Sequence, residues 1–167
     1  MFKILPLGDF GSGKTSLAFR FVEDTFNESV NCETCSDWLY KTVQVGGEQI
    51  TVKIVDTEAQ ERFGLLPTSF YRNTDASIIV FDVSNQESFN NAGDWLQMVG
   101  RYAPKNVIKI LVGAKCDLIN RVVDYDTAKQ YANEQGIEYM ETSAKHSANV
   151  EELFIKLIVE IRQRDAT

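Results

Sequence analysis

The segment Gly8-Asp9-Phe10-Gly11-Ser12-Gly13-Lys14-Thr15 constrains this chain more than any other stretch of it. It follows the apolar, strand-like run Phe2–Leu7, precedes the helical pattern Thr15–Val22, and matches G-x-x-x-x-G-K-[ST]. Glycines let consecutive backbone N–H groups turn toward an anion, and the start of the helix adds partial positive charge. Lys14 reaches the terminal phosphates and Thr15 offers a hydroxyl to Mg²⁺. The motif needs a position between strand and helix, and it has one. It indicates a nucleoside triphosphate and is silent on the base.

The rest of the chain repeats the strand–helix alternation. Strand-like Ala76–Val83, Val107–Gly113 and Ile137–Thr142 alternate with the helical patterns Phe89–Tyr102, Ala128–Asn133 and Val150–Arg162. Such alternation implies a parallel sheet with helices on both faces. One stretch differs: Tyr40–Val45 and Gln49–Val55 are joined by Gly46-Gly47-Glu48, a hairpin signal. In the last helix Val150, Leu153, Phe154, Leu157, Ile158 and Ile161 recur at three- and four-residue steps. At 167 residues, 44% hydrophobic and 25% charged, the composition is that of one globular domain. No apolar run reaches the ~20 residues that span a bilayer. The glycine loop follows the N-terminus too closely to leave room for a signal peptide, so an intracellular, cytoplasmic protein is expected. Three cysteines, Cys32, Cys35 and Cys116, fit a reducing compartment better than a disulfide framework. With 17 basic against 24 acidic residues the net charge is −7, which argues against salt-driven binding to nucleic acid.

Further motifs stand in order behind the loop: Asp56-Thr57 with Gln60-Glu61-Arg62-Phe63, Phe70-Tyr71-Arg72, Asp82-Val83-Ser84 with Glu87-Ser88-Phe89-Asn90-Asn91, Lys115-Cys116-Asp117, and Glu141-Thr142-Ser143-Ala144-Lys145. With these the whole chain resembles the Ras-superfamily small GTPases, and within them the Rab branch. The resemblance implies an α/β P-loop G domain over residues 1–167. Its sheet has six strands, mostly parallel with one antiparallel, flanked by five helices. It also implies two switch segments, GTP or GDP with Mg²⁺, and effectors that read the γ-phosphate. By the same match Asp117 accepts two hydrogen bonds from the guanine edge, which adenine does not offer. Lys115 and Phe26 cover the two faces of the base, and the backbone of Ser143-Ala144-Lys145 meets its carbonyl oxygen. Gly11, Ser12, Gly13, Lys14, Thr15 and Ser16 hold the phosphates; Thr15 and, through water, Asp56 hold Mg²⁺; Gln60 orients the attacking water.

Five residues depart from the family pattern within the chemistry. Phe10 stands where the family has a small residue; its ring crowds the γ-phosphate and Gln60 unless it swings outward. Glu33 falls at the switch I threonine that ligates Mg²⁺. A second unit charge at ~5 Å and an effective dielectric of about 20 is repelled by roughly 3 kcal/mol, which favours an open switch I. Thr34 takes over that role if the loop slips one place. Glu58 adds charge beside the phosphates, and Ala59 replaces a glycine hinge. Ala114 replaces the asparagine that bonds guanine N7, a loss worth on the order of 1–3 kcal/mol, or roughly 5- to 150-fold in affinity. The expectation is weaker nucleotide binding and slow hydrolysis; the competing reading is a pseudo-GTPase, an interaction module that does not cycle. A metabolic P-loop kinase is disfavoured by the Lys115 and Ser143 motifs.

Cys32-Glu-Thr-Cys35 is a C-x-x-C, but one histidine and one further cysteine are too few nearby ligands for zinc, and two ordinary thiols is the preferred reading. Of the aromatic triad that Rabs carry between their switches, the chain has Trp38 and Phe70 but Val55 in the third place. The two rings are either a partner-binding patch or buried against the sheet. The sequence stops at Arg164-Asp-Ala-Thr167 with no cysteine to prenylate, so no membrane anchor is expected in this chain, whether it is cut short, part of a longer protein with a second domain, or unanchored.

Overall fold

The computed structural model describes residues 1–26, 38–57 and 66–167. Six strands form one sheet: β1 (Phe2–Leu7), β2 (Trp38–Val45), β3 (Glu48–Val55), β4 (Ala76–Asp82), β5 (Ile108–Ala114) and β6 (Glu138–Glu141). Their order is β2-β3-β1-β4-β5-β6. Every pairing is parallel except β2 with β3. Among the described residues five α-helices accompany them, α1 (Lys14–Glu23), α2 (Gln86–Asn90), α3 (Ala92–Tyr102), α4 (Tyr125–Glu134) and α5 (Val150–Ala166), with a short 3-10 turn at Thr68–Tyr71. The expected α/β architecture, with one antiparallel pair, is present.

Local chemistry explains the elements. β4 lies between β1 and β5 and is buried along its whole length, as its unbroken apolar run requires of a strand covered on both faces. β2 is an edge strand and alternates, with Trp38, Tyr40 and Thr42 turned outward. The hairpin closes through Gly46 (φ 58°) and Gly47 (φ 81°), positive at both central positions as a type I′ turn demands. α5 buries all six of its periodic apolar residues, and Phe154 stacks on Phe21 of α1 with ring centroids 4.1 Å apart.

Two hydrophobic clusters lie on opposite faces of the sheet, because successive strand residues point to opposite sides. Ile4, Ile78 and Val112 pack with α1 and α5 on one face. Leu5, Ile79 and Leu111 pack with α3 and α4 on the other. The helix expected over Phe89–Tyr102 differs from what forms: it begins earlier, at Gln86, and breaks at Asn91. Asn85 caps the start by accepting from Ser88 N–H at 3.1 Å, and Asn91 ends α2 while its carbonyl accepts from Asp94 N–H at 3.1 Å to begin α3. This arrangement leaves the loops after β1, β5 and β6 together, outside the carboxyl ends of the parallel strands where such sheets hold ligands.

Candidate functional site

The glycine loop leaves β1 against the backbone of β4. A Cβ added to Gly8 would sit 2.1 Å from the Val80 carbonyl oxygen, so only glycine fits there. Gly13 (φ 109°) caps the start of α1, which directs the first N–H groups of that helix into the loop. Lys14 is buried, and its ammonium donates to the Gly8 carbonyl at 2.5 Å and to that of Asp9 at 3.3 Å. The hydroxyl of Ser12 is also buried, and no hydrogen-bond partner satisfies it among the described residues. A buried cation, an unsatisfied hydroxyl and helix N–H groups in one turn form a cradle suited to an anion.

Beside it the Thr15 hydroxyl donates to Asp56, at 3.1 Å from Oδ1 and 3.2 Å from Oδ2. Both side chains are buried. A hydroxyl and a carboxylate meeting next to a phosphate cradle are hard oxygen donors of the kind Mg²⁺ takes.

The opposite wall comes from the loops after β5 and β6. Lys115 (φ 62°) donates from Nζ to the Gly11 carbonyl at 3.0 Å and pairs with Asp82 Oδ2 at 2.9 Å, so its side chain spans from the phosphate loop to the end of β4. Burial alone would raise the Asp82 carboxyl. The Ser84 hydroxyl and N–H, together with the Lys115 ammonium, outweigh burial and hold it below the usual carboxylate range. Asp117 Oδ1 accepts from the Ser143 hydroxyl at 2.7 Å, which fixes the carboxylate and ties the two loops together. Arg20 of α1 donates to the carbonyls of Ala144 (2.7 Å) and Lys145 (3.2 Å). Below this wall Arg121 pairs with Glu141, which also accepts from the Tyr139 hydroxyl; burial and Glu141 push that hydroxyl far above its ordinary value. Burial, then Glu141 and Asp117, likewise raise the Cys116 thiol, which stays protonated at neutral pH.

Between the two walls lies a cavity of about 460 Å³. Gly11, Gly13, Thr15, Ser16 and Phe26 line one side, and Ala114, Lys115, Asp117, Ala144 and Lys145 the other. Ser143 stays just behind it, holding Asp117. Phe10 borders the cavity but is 56% exposed, so its ring belongs to the rim. Ala114 is buried, and a Cβ added at Gly13 would lie 3.3 Å from the Ala114 Cβ, so a side chain at position 13 would crowd this wall. Gln60, Glu33, Glu58 and Ala59 lie outside the described residues, as do Thr34, Cys32 and Cys35. Sequence reasoning missed Leu118 and Thr142 in the lining, Arg20 behind it and Asp82 at its base. Leu118 follows a motif residue and Thr142 and Asp82 stand inside motifs, but nothing local marks the part each plays in the site, and Arg20 carries no local signal at all.

A second feature lies on the sheet's outer face. Trp38 and Phe70 stack with centroids 6.2 Å apart, and Lys53 Nζ sits 3.6 Å from the centroid of the Trp38 ring. Trp38 is 37% exposed, whereas Val55, opposite it in the ladder, is fully buried. Lys3 Nζ donates to the Phe70 carbonyl at 2.7 Å and so holds that ring's backbone. Among the described residues no three His, Cys, Asp or Glu side chains cluster to hold a metal, and no helix is long and apolar enough to cross a membrane.

Comparison with known proteins places this chain among many similar ones. The family described as "Ras family" matches residues 3–163. The "Ras-related protein RIC1" of Oryza sativa subsp. japonica is 46% identical over 168 residues, an alignment covering 100% of this chain and 83% of that protein.

Proposed function

From the premise that this chain belongs to the Ras family of small GTPases, we propose that it is a Rab-like guanine-nucleotide switch of membrane trafficking with weakened binding and slow hydrolysis. One observation carries the reading: a single cavity brings the Lys14 cradle and Thr15 to within one ligand's length of Asp117 and Lys145. A nucleotide is the ligand that needs both ends at once.

Each residue has a task under this reading. N–H groups of Gly11 to Ser16 and the Lys14 ammonium bind the phosphates, and the Ser12 hydroxyl gains a partner that it lacks among the described residues. Asp117, locked by Ser143, accepts from the guanine edge; an adenine would leave that carboxylate facing no donor. Phe26 and the Lys115 stem cover the faces of the base, and the backbone of Ser143-Ala144-Lys145, held from α1 by Arg20 through the Ala144 and Lys145 carbonyls, meets its carbonyl oxygen. Thr15 and, through water, Asp56 hold Mg²⁺, which supplies charge neutralisation at the phosphates. Gln60 orients water, and Glu33, Glu58 and Ala59 weaken that step by adding charge and removing a hinge. The Trp38–Phe70 stack is the anchor for effectors, with one aromatic fewer than the Rab pattern. Residues 1–167 act as one G domain in the cytoplasm.

Denaturing the purified protein and chromatographing the released nucleotide tests the first half; GDP or GTP is expected. A single-turnover assay tests the second half. A hydrolysis rate equal to that of ordinary Rabs would remove the claim of impairment. The pseudo-GTPase reading is favoured by Ala114, whose methyl group offers the base no polar contact. Protein that carries no nucleotide and takes up none would favour it.

A further inference from the structure

The outer turn of the phosphate loop is tied to a part of the fold that has no place in the cavity wall. Asp9 directs its carboxylate away from the cradle toward the α2–α3 junction. Oδ2 accepts from Asn91 Nδ2 at 2.7 Å and Oδ1 from the Trp95 indole N–H at 3.1 Å. Its main chain faces the other way, and its carbonyl accepts from the Ser12 N–H at 3.1 Å and from Lys14 Nζ at 3.3 Å. One residue thus joins the anion cradle to a helix pair.

We propose that Asn91 and Trp95 are positioning residues that clamp the phosphate loop through Asp9 and thereby set how long nucleotide is retained.

Three observations lead there. The loop has glycines at positions 8, 11 and 13, all at positive φ, so its unbound ensemble is broad and an external tether is worth more here than in a stiffer turn. The anchor is firm: Asn91 and Trp95 stand one turn apart at the start of α3, Trp95 packs into the second core cluster, and α2 is bound to β4 through Ser88, whose hydroxyl meets the Asp82 N–H at 3.0 Å. The carboxylate meets the first turn of α3 with one oxygen on Asn91 and the other on Trp95, so the tether holds the loop at two points. Phe10, the next residue, lies at the exposed rim.

The inference rests on the guanine-nucleotide reading, and the experiment separates the two. Release of a fluorescent GDP analogue is timed for the wild-type chain, Trp95→Phe, Asp9→Ala and the double variant. Trp95→Phe is expected to speed release roughly tenfold in the Asp9 chain and to have no further effect in Asp9→Ala. Asn at position 9 keeps one carbonyl acceptor, so Asp9→Asn should restore slow release in part. Equal acceleration by Trp95→Phe in both backgrounds, or none in either, overturns the clamp. Wild-type protein that retains no GDP analogue overturns the nucleotide reading instead. The clamp is then read in Trp38→Phe, where Trp95 is the one remaining tryptophan: its emission shifts on Asp9→Ala if the contact exists, and an unchanged emission overturns it.

Discussion

Asp82 ends β4 with three donors aimed at it: the Ser84 N–H at 2.8 Å and the Ser84 hydroxyl at 2.6 Å on Oδ1, and Lys115 at 2.9 Å on Oδ2. Through Lys115 this carboxylate reaches the Gly11 carbonyl, so its protonation state bears on the loop's geometry. Its pKa is held below the usual value, so the stability it contributes is fully present above the unfolded carboxylate value of about 3.9 and is lost as pH falls through the lower folded value. Between about pH 5 and 8 the contribution is therefore constant. Asp82→Asn is expected to lower the melting temperature in that range and to flatten its fall below about pH 4. Thermal melts of both proteins across pH check this; parallel curves would contradict it. Nothing in Asp82-Val83-Ser84 as a string predicts the tie to Lys115, because the partners are distant in sequence and only the parallel pairing of β4 with β5 aligns Asp82 with Ala114, the residue before Lys115.

At the level of elements, legibility followed the source of the signal. α5 was readable because six apolar residues recur at its period and all six are buried. The hairpin was readable because Gly46-Gly47 is the chemistry its turn needs. The break at Asn91 was not, since it follows from a cap at Asn85 and from the placement of the Asn91 side chain on Asp9, neither of which alters hydrophobic period. In the site, the phosphate loop is legible from its own motif and the opposite wall from the family resemblance, while the contacts of Arg20 and Asp82 carry no local signal. α5 also ends in polar ties: Arg162 donates to the Val45 carbonyl and pairs with Glu48 at the hairpin, both at 3.0 Å, and Arg164 pairs with Asp75 at 2.8 Å. Magnitudes rank these against the apolar face. Leu157→Ala empties a fully buried position and should cost about 2–5 kcal/mol. Arg162→Ala removes one hydrogen bond and a largely exposed ion pair and should cost about 1 kcal/mol. Urea unfolding midpoints measure both, and equal losses would mean that the Arg162 tie is stronger than its exposure allows.

For the molecule as a whole, charge and ligand stand in apparent conflict: a chain of net charge −7 is proposed to hold an anionic nucleotide. Local arrangement resolves it. The long-range field of dispersed surface acids is screened within about 10 Å at 0.1 M salt, whereas the cradle acts at contact through N–H groups and a buried Lys14. Binding should then be selective by base rather than governed by ionic strength. Ligand that binds only the folded chain at 100 times its Kd stabilises by about 2.7 kcal/mol. For a domain of this size that corresponds to a rise of roughly 5–10 °C in melting temperature. GDP with Mg²⁺ is expected to produce a shift of that order, and ADP with Mg²⁺ at the same concentration none, because Asp117, locked by Ser143, accepts hydrogen bonds and the edge adenine turns to it carries no donors to match. Chelating Mg²⁺ should shrink the GDP shift, since Thr15 and Asp56 then face the phosphates without the cation between them. Asp117→Ala should remove the difference between the two nucleotides while leaving the ligand-free melt close to wild type, because Asp117 is partly exposed and its main structural partner is the Ser143 hydroxyl. Equal shifts with GDP and ADP in the wild-type chain would refute selection by Asp117, and with it the assignment of this cavity to guanine.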